Sequence, residues 1–112
     1  MQTVVETPPY LADAERLFTA EERETIVDIV STEPRSGVVI PGTGGVRKLR
    51  VAASGRGKRG GARIIYLFGG DDVPVFLLAL FAKNEKSDLS QTERNKLART
   101  TAELIQSYRS GR

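Results

Sequence analysis

The apolar residues in the first third of the chain recur mostly with helical spacing. Gln2 to Glu6 alternates weakly and predicts a short opening strand. Helical spacing then predicts a first helix after Pro8 and Pro9. A second helix is predicted from the capping box of Thr19 and Glu22, and it ends before Pro34. Two short helices in succession indicate an αα-hairpin. The apolar face of the first helix consists of Tyr10, Leu11, Ala14, Leu17 and Phe18.

The middle of the chain changes to the spacing of strands. Val46 to Ala52 alternates, so Lys48 and Arg50 share one face of the predicted strand. Two further segments, Ala62 to Phe68 and Val75 to Ala82, are apolar enough for the centre of a sheet. The sequence therefore predicts three consecutive strands after the helical hairpin.

A third helix is predicted at the C-terminal end. Ser90 and Glu93 form a second capping box. The expected fold is α+β: a small antiparallel sheet with an N-terminal αα-hairpin and a C-terminal helix, in the order β-α-α-β-β-β-α. With 112 residues, of which 39% are hydrophobic, residues 1–112 fit a single domain. The apolar face of the last helix consists of Leu97, Thr101, Leu104, Ile105 and Tyr108.

Composition removes several classes of chemistry. The chain contains no His and no Cys, which excludes disulfides, zinc fingers and His- or Cys-dependent nucleophiles. We expect no cofactor and no metal. The longest apolar run, Val75 to Ala82, is far shorter than the roughly 20 residues of a membrane helix, so a cytoplasmic protein without a membrane partner is predicted.

The net charge of +3 conceals an uneven distribution. Residues 1–33 carry a net charge of −6, residues 34–66 carry +8 without a single acid, and the remainder carries +1. Such a basic run indicates a polyanionic partner. The alternative is that the acidic N-terminal helices fold back and pair with it, although surface ion pairs stabilise by only about 0 to 1 kcal/mol each.

A glycine-rich basic loop lies between the first two of these three strands. Gly55, Gly57 and Gly60 match G-x-G-x-x-G, but a strand rather than a helix follows, which excludes a dinucleotide site. We interpret the segment as a hairpin loop whose cations can follow a sugar-phosphate backbone. Those cations are Arg56, Lys58 and Arg59.

Three motifs in order carry a family resemblance. They are GTGGVRKLR from Gly42 to Arg50, GRGKRGGARIIY from Gly55 to Tyr66, and FAKNEKSDLS from Phe81 to Ser90. The chain resembles the RelE superfamily of type II toxin–antitoxin toxins and is most similar to its HigB branch. The order of the predicted elements is also the order found in that family.

The resemblance implies an mRNA interferase. Such a protein is a metal-independent endoribonuclease that enters the ribosomal A site and cuts the message during translation. The implied partners are the 70S ribosome with its rRNA, the mRNA, and a cognate antitoxin of helix-turn-helix type that inhibits the toxin. Contact with DNA is expected only through the antitoxin complex. Two alternatives remain: a non-catalytic toxin of the same fold, as in the gyrase-inhibiting ParE branch, and a plain RNA- or ribosome-binding module.

The cleavage implied by the resemblance requires a phosphate clamp and proton transfer. Arg63 matches the catalytic arginine of the family, and a guanidinium can grip two phosphate oxygens. Proton transfer needs a group that can gain and lose a proton. Neighbouring positive charges lower the pKa of a lysine toward the range in which it can do so. The candidates for it are Lys48, Lys58, Lys83 and Tyr66.

The remaining candidates serve affinity for RNA. Some family members place a tyrosine near the position of Leu89 and an arginine near that of Asn84, and this chain has neither. The identity of the general base therefore stays open. Glu85 and Asp88 are carboxylates that can cap the last helix or pair with Lys86. The predicted RNA-binding residues are Arg47, Arg50, Arg56, Arg59, Asn84 and Lys86.

Overall fold

A five-stranded sheet forms the centre of the computed structural model, which describes residues 1–52 and 61–111. The strands run in the order β1-β5-β4-β3-β2, and neighbours are antiparallel except β1 and β5, which are parallel. In chain order the elements are β1 (Val4–Glu6), α1 (Pro8–Leu17), α2 (Ala20–Thr32), β2 (Val38–Val39), β3 (Val46–Val51), β4 (Ala62–Leu67), β5 (Val75–Ala82) and α3 (Gln91–Ser110).

The predicted α+β class and the N-terminal helical hairpin are confirmed, with two differences in the sheet. The strand β2 adds a fourth strand before α3, because its two residues are too few to show a period in the sequence. The opening strand β1 joins the sheet in parallel beside β5, with Val4 opposite Val75. The sheet is therefore mixed at one edge rather than wholly antiparallel.

The helices α1 and α2 cover one face of the sheet. Thr19 begins α2 as predicted, because its hydroxyl accepts from the Glu22 amide while the Glu22 carboxylate accepts from the Thr19 amide. This face holds the larger cluster of buried side chains. Its members from the helices are Tyr10, Ala14, Leu17, Phe18, Ile26 and Val30, and those from the central strands include Ile64, Tyr66, Leu77 and Leu80.

The helix α3 covers the opposite face. The predicted capping box of Ser90 and Glu93 is present. Thr101 is buried, as predicted for the apolar face of this helix. The sequence predicts Tyr108 on the same face, but it is 45% exposed. It lies in the last turn, where Arg109 instead joins α3 to Asp72. The contacts with the sheet are made by Leu97, Leu104 and Ile105 against Ile65, Leu67, Phe76 and Leu78.

A bulge in β5 allows both faces of this strand to be packed. Ile65 lies opposite Ala79 and Tyr66 opposite Leu77, so Leu78 is an extra residue on β5. Because of this shift, Leu77 and Leu80 both face α1 and α2 although they are three residues apart. Thr7 donates its hydroxyl to the Leu77 carbonyl at 2.7 Å beside the bulge.

No helix within residues 1–52 and 61–111 is both long enough and apolar enough to cross a membrane.

Candidate active site

Three cationic side chains lie on the face of the sheet that α3 covers. Arg50 of β3 is directly opposite Arg63 of β4, and Lys48 is directly opposite Ile65. Because side chains alternate along a strand, Arg63 shares the face of Ile65, which packs toward α3. Lys48 and Arg50 share that face as predicted. We call Lys48, Arg50 and Arg63 the cation cluster.

Arg63 is the most deeply placed member of the cation cluster. Only 7% of its surface is exposed, and its Nη1 lies 3.4 Å from the carbonyl oxygen of Ala62. Its strand is buried along its whole length, paired with β3 on one side and β5 on the other. Both neighbours restrict the backbone that carries the guanidinium. Arg50, in contrast, is exposed.

An aromatic ring and a lysine extend the cluster on the β5 side. Phe81 lies directly opposite Arg63. The Lys86 Nζ lies 5.6 Å from the centroid of the Phe81 ring, in the range of a cation–π contact. Lys86 also forms an ion pair with Glu93 in the first turn of α3. The predicted RNA-binding residue Lys86 is therefore brought close to Arg63.

Asp88 links the cation cluster to α3. Its carboxylate accepts from the Lys48 Nζ at 3.2 Å and from Arg94 at 3.4 Å. It also accepts from the Leu89 amide at 2.8 Å. The pKa of Asp88 lies below its ordinary value. The hydrogen bond from the Leu89 amide contributes most to this lowering, and the two cations add to it. Lys48 is thereby fixed on the sheet by a residue 40 positions further along the chain.

We expect Asp88→Asn to remove a pH-dependent part of the stability. A carboxylate whose pKa is lowered by folding stabilises the native state above its unfolded-state pKa and loses this contribution as the pH falls through the folded value. The wild type should therefore be more stable than Asp88→Asn at pH 7, and the difference should close as the pH falls below the ordinary value of 3.8. Urea unfolding of both proteins between pH 7 and pH 3 measures it; a pH-independent difference contradicts the assignment.

Lys83 and Asn84 lie at the adjoining end of the sheet. The Lys83 amide donates to the Gly61 carbonyl at 3.0 Å, just before β4 begins. Both side chains are exposed. They therefore border the end of the strands where Arg63 lies, without a described contact to the cluster.

Two of the predicted site residues point to the other face. Tyr66 is fully buried among the residues under α1 and α2, and its hydroxyl donates to the Pro34 carbonyl and accepts from the Gly37 amide, both at 2.8 Å. Arg47 lies opposite Tyr66 and donates to the carbonyls of Arg35 and Gly37. The structure does not bring Tyr66 or Arg47 to the cation cluster.

The tip of the basic loop lies outside the described residues. Arg56, Lys58 and Arg59 belong to it, so their predicted roles stay predictions. Of the described cations in the basic segment, Lys48 pairs with Asp88 and Arg47 with main-chain carbonyls. The alternative explanation of the charge pattern is that the basic segment pairs with the N-terminal acids. Lys48 and Arg47 do not form such pairs.

The residues that hold the cluster in place are less evident from the sequence. Glu85 and Asp88 are predicted to cap α3 or pair with Lys86, but they pair with Arg16 and Lys48, respectively. Asp88 has no distinct signal in the local sequence, and its partner Lys48 is too distant along the chain to be inferred.

The cluster has the properties of an anion site. Two guanidinium groups and a lysine on one face of a sheet suit phosphate oxygens, which accept bidentate bonds from arginine. Within residues 1–52 and 61–111, no group of three or more Asp and Glu side chains is arranged to hold a metal ion.

A comparison with protein families agrees with this chemistry. The model described as RelE toxin of the RelE / RelB toxin-antitoxin system matches residues 37–110, well over half of the chain. The chain belongs to the RelE toxin family. This RelE-family protein is accordingly a toxin of a toxin–antitoxin system, and a cognate antitoxin is its partner.

The matched range includes every candidate site residue. It begins just before β2 and ends with α3, so the cation cluster, Asp88 and the connection from β5 to α3 all lie inside it. The strand β1 and the helices α1 and α2 precede it. In this RelE-family toxin, α1 and α2 lie on the face of the sheet opposite the cation cluster.

Proposed function

We propose that this RelE-family toxin is an endoribonuclease that cleaves mRNA in the ribosomal A site and thereby stops translation. The observation that carries the proposal is the cation cluster on the sheet, with a nearly buried arginine held by two neighbouring strands. Such a cluster suits a substrate whose backbone is a chain of phosphates.

The proposed reaction is attack of a ribose 2′-OH on the adjacent phosphate. The new bond joins the 2′ oxygen to phosphorus and the bond to the 5′ oxygen breaks, leaving a 2′,3′-cyclic phosphate and a 5′-OH. The 2′-OH must lose a proton, the 5′ oxygen must gain one, and the phosphoryl oxygens gain negative charge in between. No metal is needed in this scheme.

Arg63 takes the charge-stabilising role in this proposal. An arginine guanidinium is planar and presents two parallel donors to the phosphoryl oxygens. Because β4 is paired on both sides and the Arg63 side chain is only 7% exposed, the side chain has little freedom before the substrate binds. Preorganisation of this kind supplies much of electrostatic catalysis. Arg50, Lys86 and Asn84 contribute affinity for the RNA backbone.

Lys48 is a described candidate for proton transfer on the same face of the sheet as Arg63. It is diagonal to Arg63 across β3 and β4, a separation of about 7–8 Å between such positions. Asp88 restrains its ammonium. Lys83 at the end of β5 is the second described candidate, and Lys58 in the basic loop stays a third.

Mapping of mRNA 5′ ends tests the proposal. Translating ribosomes are incubated with and without the purified toxin, and new ends are mapped relative to the A site. We expect 5′-OH ends at A-site codons, dependent on active translation. Inhibited translation with intact mRNA contradicts the nuclease and favours an RNA- or ribosome-binding module, whereas inhibited DNA gyrase favours a toxin of the ParE type.

The partner of this toxin follows from the same proposal. An antitoxin of helix-turn-helix type, encoded beside the toxin, binds it and prevents cleavage; DNA is contacted only by the antitoxin part of the complex. A neighbouring reading frame for a small helix-turn-helix protein supports this assignment. Purified complex that cleaves mRNA as fast as the free toxin contradicts it.

A further inference from the structure

The connection between β5 and α3, residues 83–90, is placed mainly by polar contacts. The amides of Glu85 and Lys86 donate to the Ala82 carbonyl at 3.0 and 3.2 Å and form its first turn. Most of its side chains are exposed, so little apolar packing fixes it. Its acidic side chains instead reach two other elements, Asp88 to β3 and Glu85 to α1. The Lys83 amide is held by the Gly61 carbonyl, whereas the orientation of Asn84 depends on these tethers.

The tether to α1 has the geometry of a strong surface pair. The Arg16 Nη1 lies 2.8 Å from the Glu85 Oε2, and the Arg16 Nη2 lies 3.3 Å from the Glu85 Oε1. These two bonds make the pair bidentate, which distinguishes it from most surface ion pairs. Asp13, one turn earlier, also accepts from Arg16 at 3.2 Å.

The helix that carries Arg16 is itself firmly placed. Ala14 and Leu17 of α1 are buried against the sheet. This helix packs on the face opposite the cation cluster. Arg16 thus connects a fixed point behind the sheet to the connection that borders the cluster, and it lies outside the range matched by the RelE family.

We propose that Arg16 is a positioning residue that holds Asn84, through Glu85, in the orientation that binds the RNA substrate. This inference rests on the proposed function. An exposed connection without the tether samples many orientations, and ordering it on binding costs affinity. Arg63 lies on β4, and the Lys83 amide donates to the Gly61 carbonyl, so neither of these proposed catalytic residues depends on the tether. The effect therefore falls on binding rather than on the rate of the bound complex.

Charge reversal and exchange test the tether. Arg16→Glu and Glu85→Arg each break it, and the double variant re-forms it with the charges exchanged. We expect each single variant to raise the KM for mRNA cleavage on programmed ribosomes by about 3- to 10-fold, because side chains that lose their preorganisation must be ordered on binding. The kcat should stay unchanged, and the double variant should return toward the wild-type KM.

Asp13→Asn is the matched control, because it removes the local partner of Arg16 and leaves the bond to Glu85. Its KM should equal that of the wild type. Hydrogen exchange of the amides of residues 83–89 gives a readout without RNA: exchange should accelerate in both single variants and slow again in the double variant.

The outcomes separate this inference from the proposed function. A wild-type protein that does not cleave mRNA overturns the proposed function, and the positioning role with it. Active wild type whose KM is unchanged in the single variants overturns the positioning role alone. An equal effect of Asp13→Asn, or a double variant as impaired as the single ones, also overturns it, because the effect then belongs to α1 rather than to the tether.

Discussion

Arg63→Ala is expected to slow mRNA cleavage by about 10²- to 10³-fold while leaving most of the affinity for the ribosome. Removal of a preorganised donor to a developing oxyanion costs about 10²- to 10³-fold in kcat. Two neighbouring strands hold the Arg63 backbone and burial restricts its side chain, so its guanidinium needs little reorganisation as charge builds on the phosphate. Binding depends on many cations, and the loss of one of them changes it less.

The measurement compares kcat and KM on programmed ribosomes for three variants. Arg63→Ala should lower kcat, whereas Arg50→Ala, which alters the exposed residue directly opposite, should mainly raise KM. Arg63→Lys keeps the charge and loses the planar fork, so it should recover only part of the activity. Because Arg63 is 7% exposed, circular dichroism of each variant must first show a native fold.

Two results would contradict this role of Arg63. Folded Arg63→Ala that cleaves at the wild-type rate excludes the phosphate clamp. Cleavage and ribosome binding that fall together assign Arg63 to affinity alone. The Arg50→Ala protein serves as the reference for such an affinity effect, because its side chain belongs to the same cluster.

Strand periodicity is sufficient to predict much of the candidate site. The alternation of residues in β3 predicts that Lys48 and Arg50 share one face, and the strand register confirms it. The same rule separates Arg63 from Tyr66, because residues three apart on a regular strand face opposite sides. Tyr66 and Arg47 are candidates by residue type instead, and the structure places both away from the cluster.

Other features have no signal in the local sequence. The bulge at Leu78 lies in a strand that is apolar on both faces, so alternation cannot locate it. The pair of Lys48 and Asp88 joins residues 40 positions apart, and that of Arg16 and Glu85 joins residues 69 apart. Contacts of this kind depend on how the sheet and helices come together, so the sequence predicts the cations but not the carboxylates that hold them.

Tyr66→Phe is expected to destabilise the protein without slowing catalysis. The hydroxyl joins the connection between α2 and β2 to the sheet, because it donates to the Pro34 carbonyl and accepts from the Gly37 amide. Phenylalanine leaves these partners without the hydroxyl, and an unsatisfied buried polar group costs about 1–3 kcal/mol. Gly37 packs so closely that a Cβ there would lie 2.7 Å from the Tyr66 Oη, which leaves no room for a larger side chain to replace the contact.

Urea unfolding of Tyr66→Phe, with Tyr108→Phe as the control, measures this effect. Tyr108 is 45% exposed, so loss of its hydroxyl should leave the free energy of unfolding almost unchanged. The kcat of folded Tyr66→Phe should match that of the wild type, because the ring lies under α1 and α2 on the face opposite Arg63. A stable Tyr66→Phe protein whose kcat is reduced as strongly as that of Arg63→Ala would contradict this prediction and assign Tyr66 a catalytic role. It would also require the ring to reach the other face of the sheet, against the two hydrogen bonds that hold its hydroxyl.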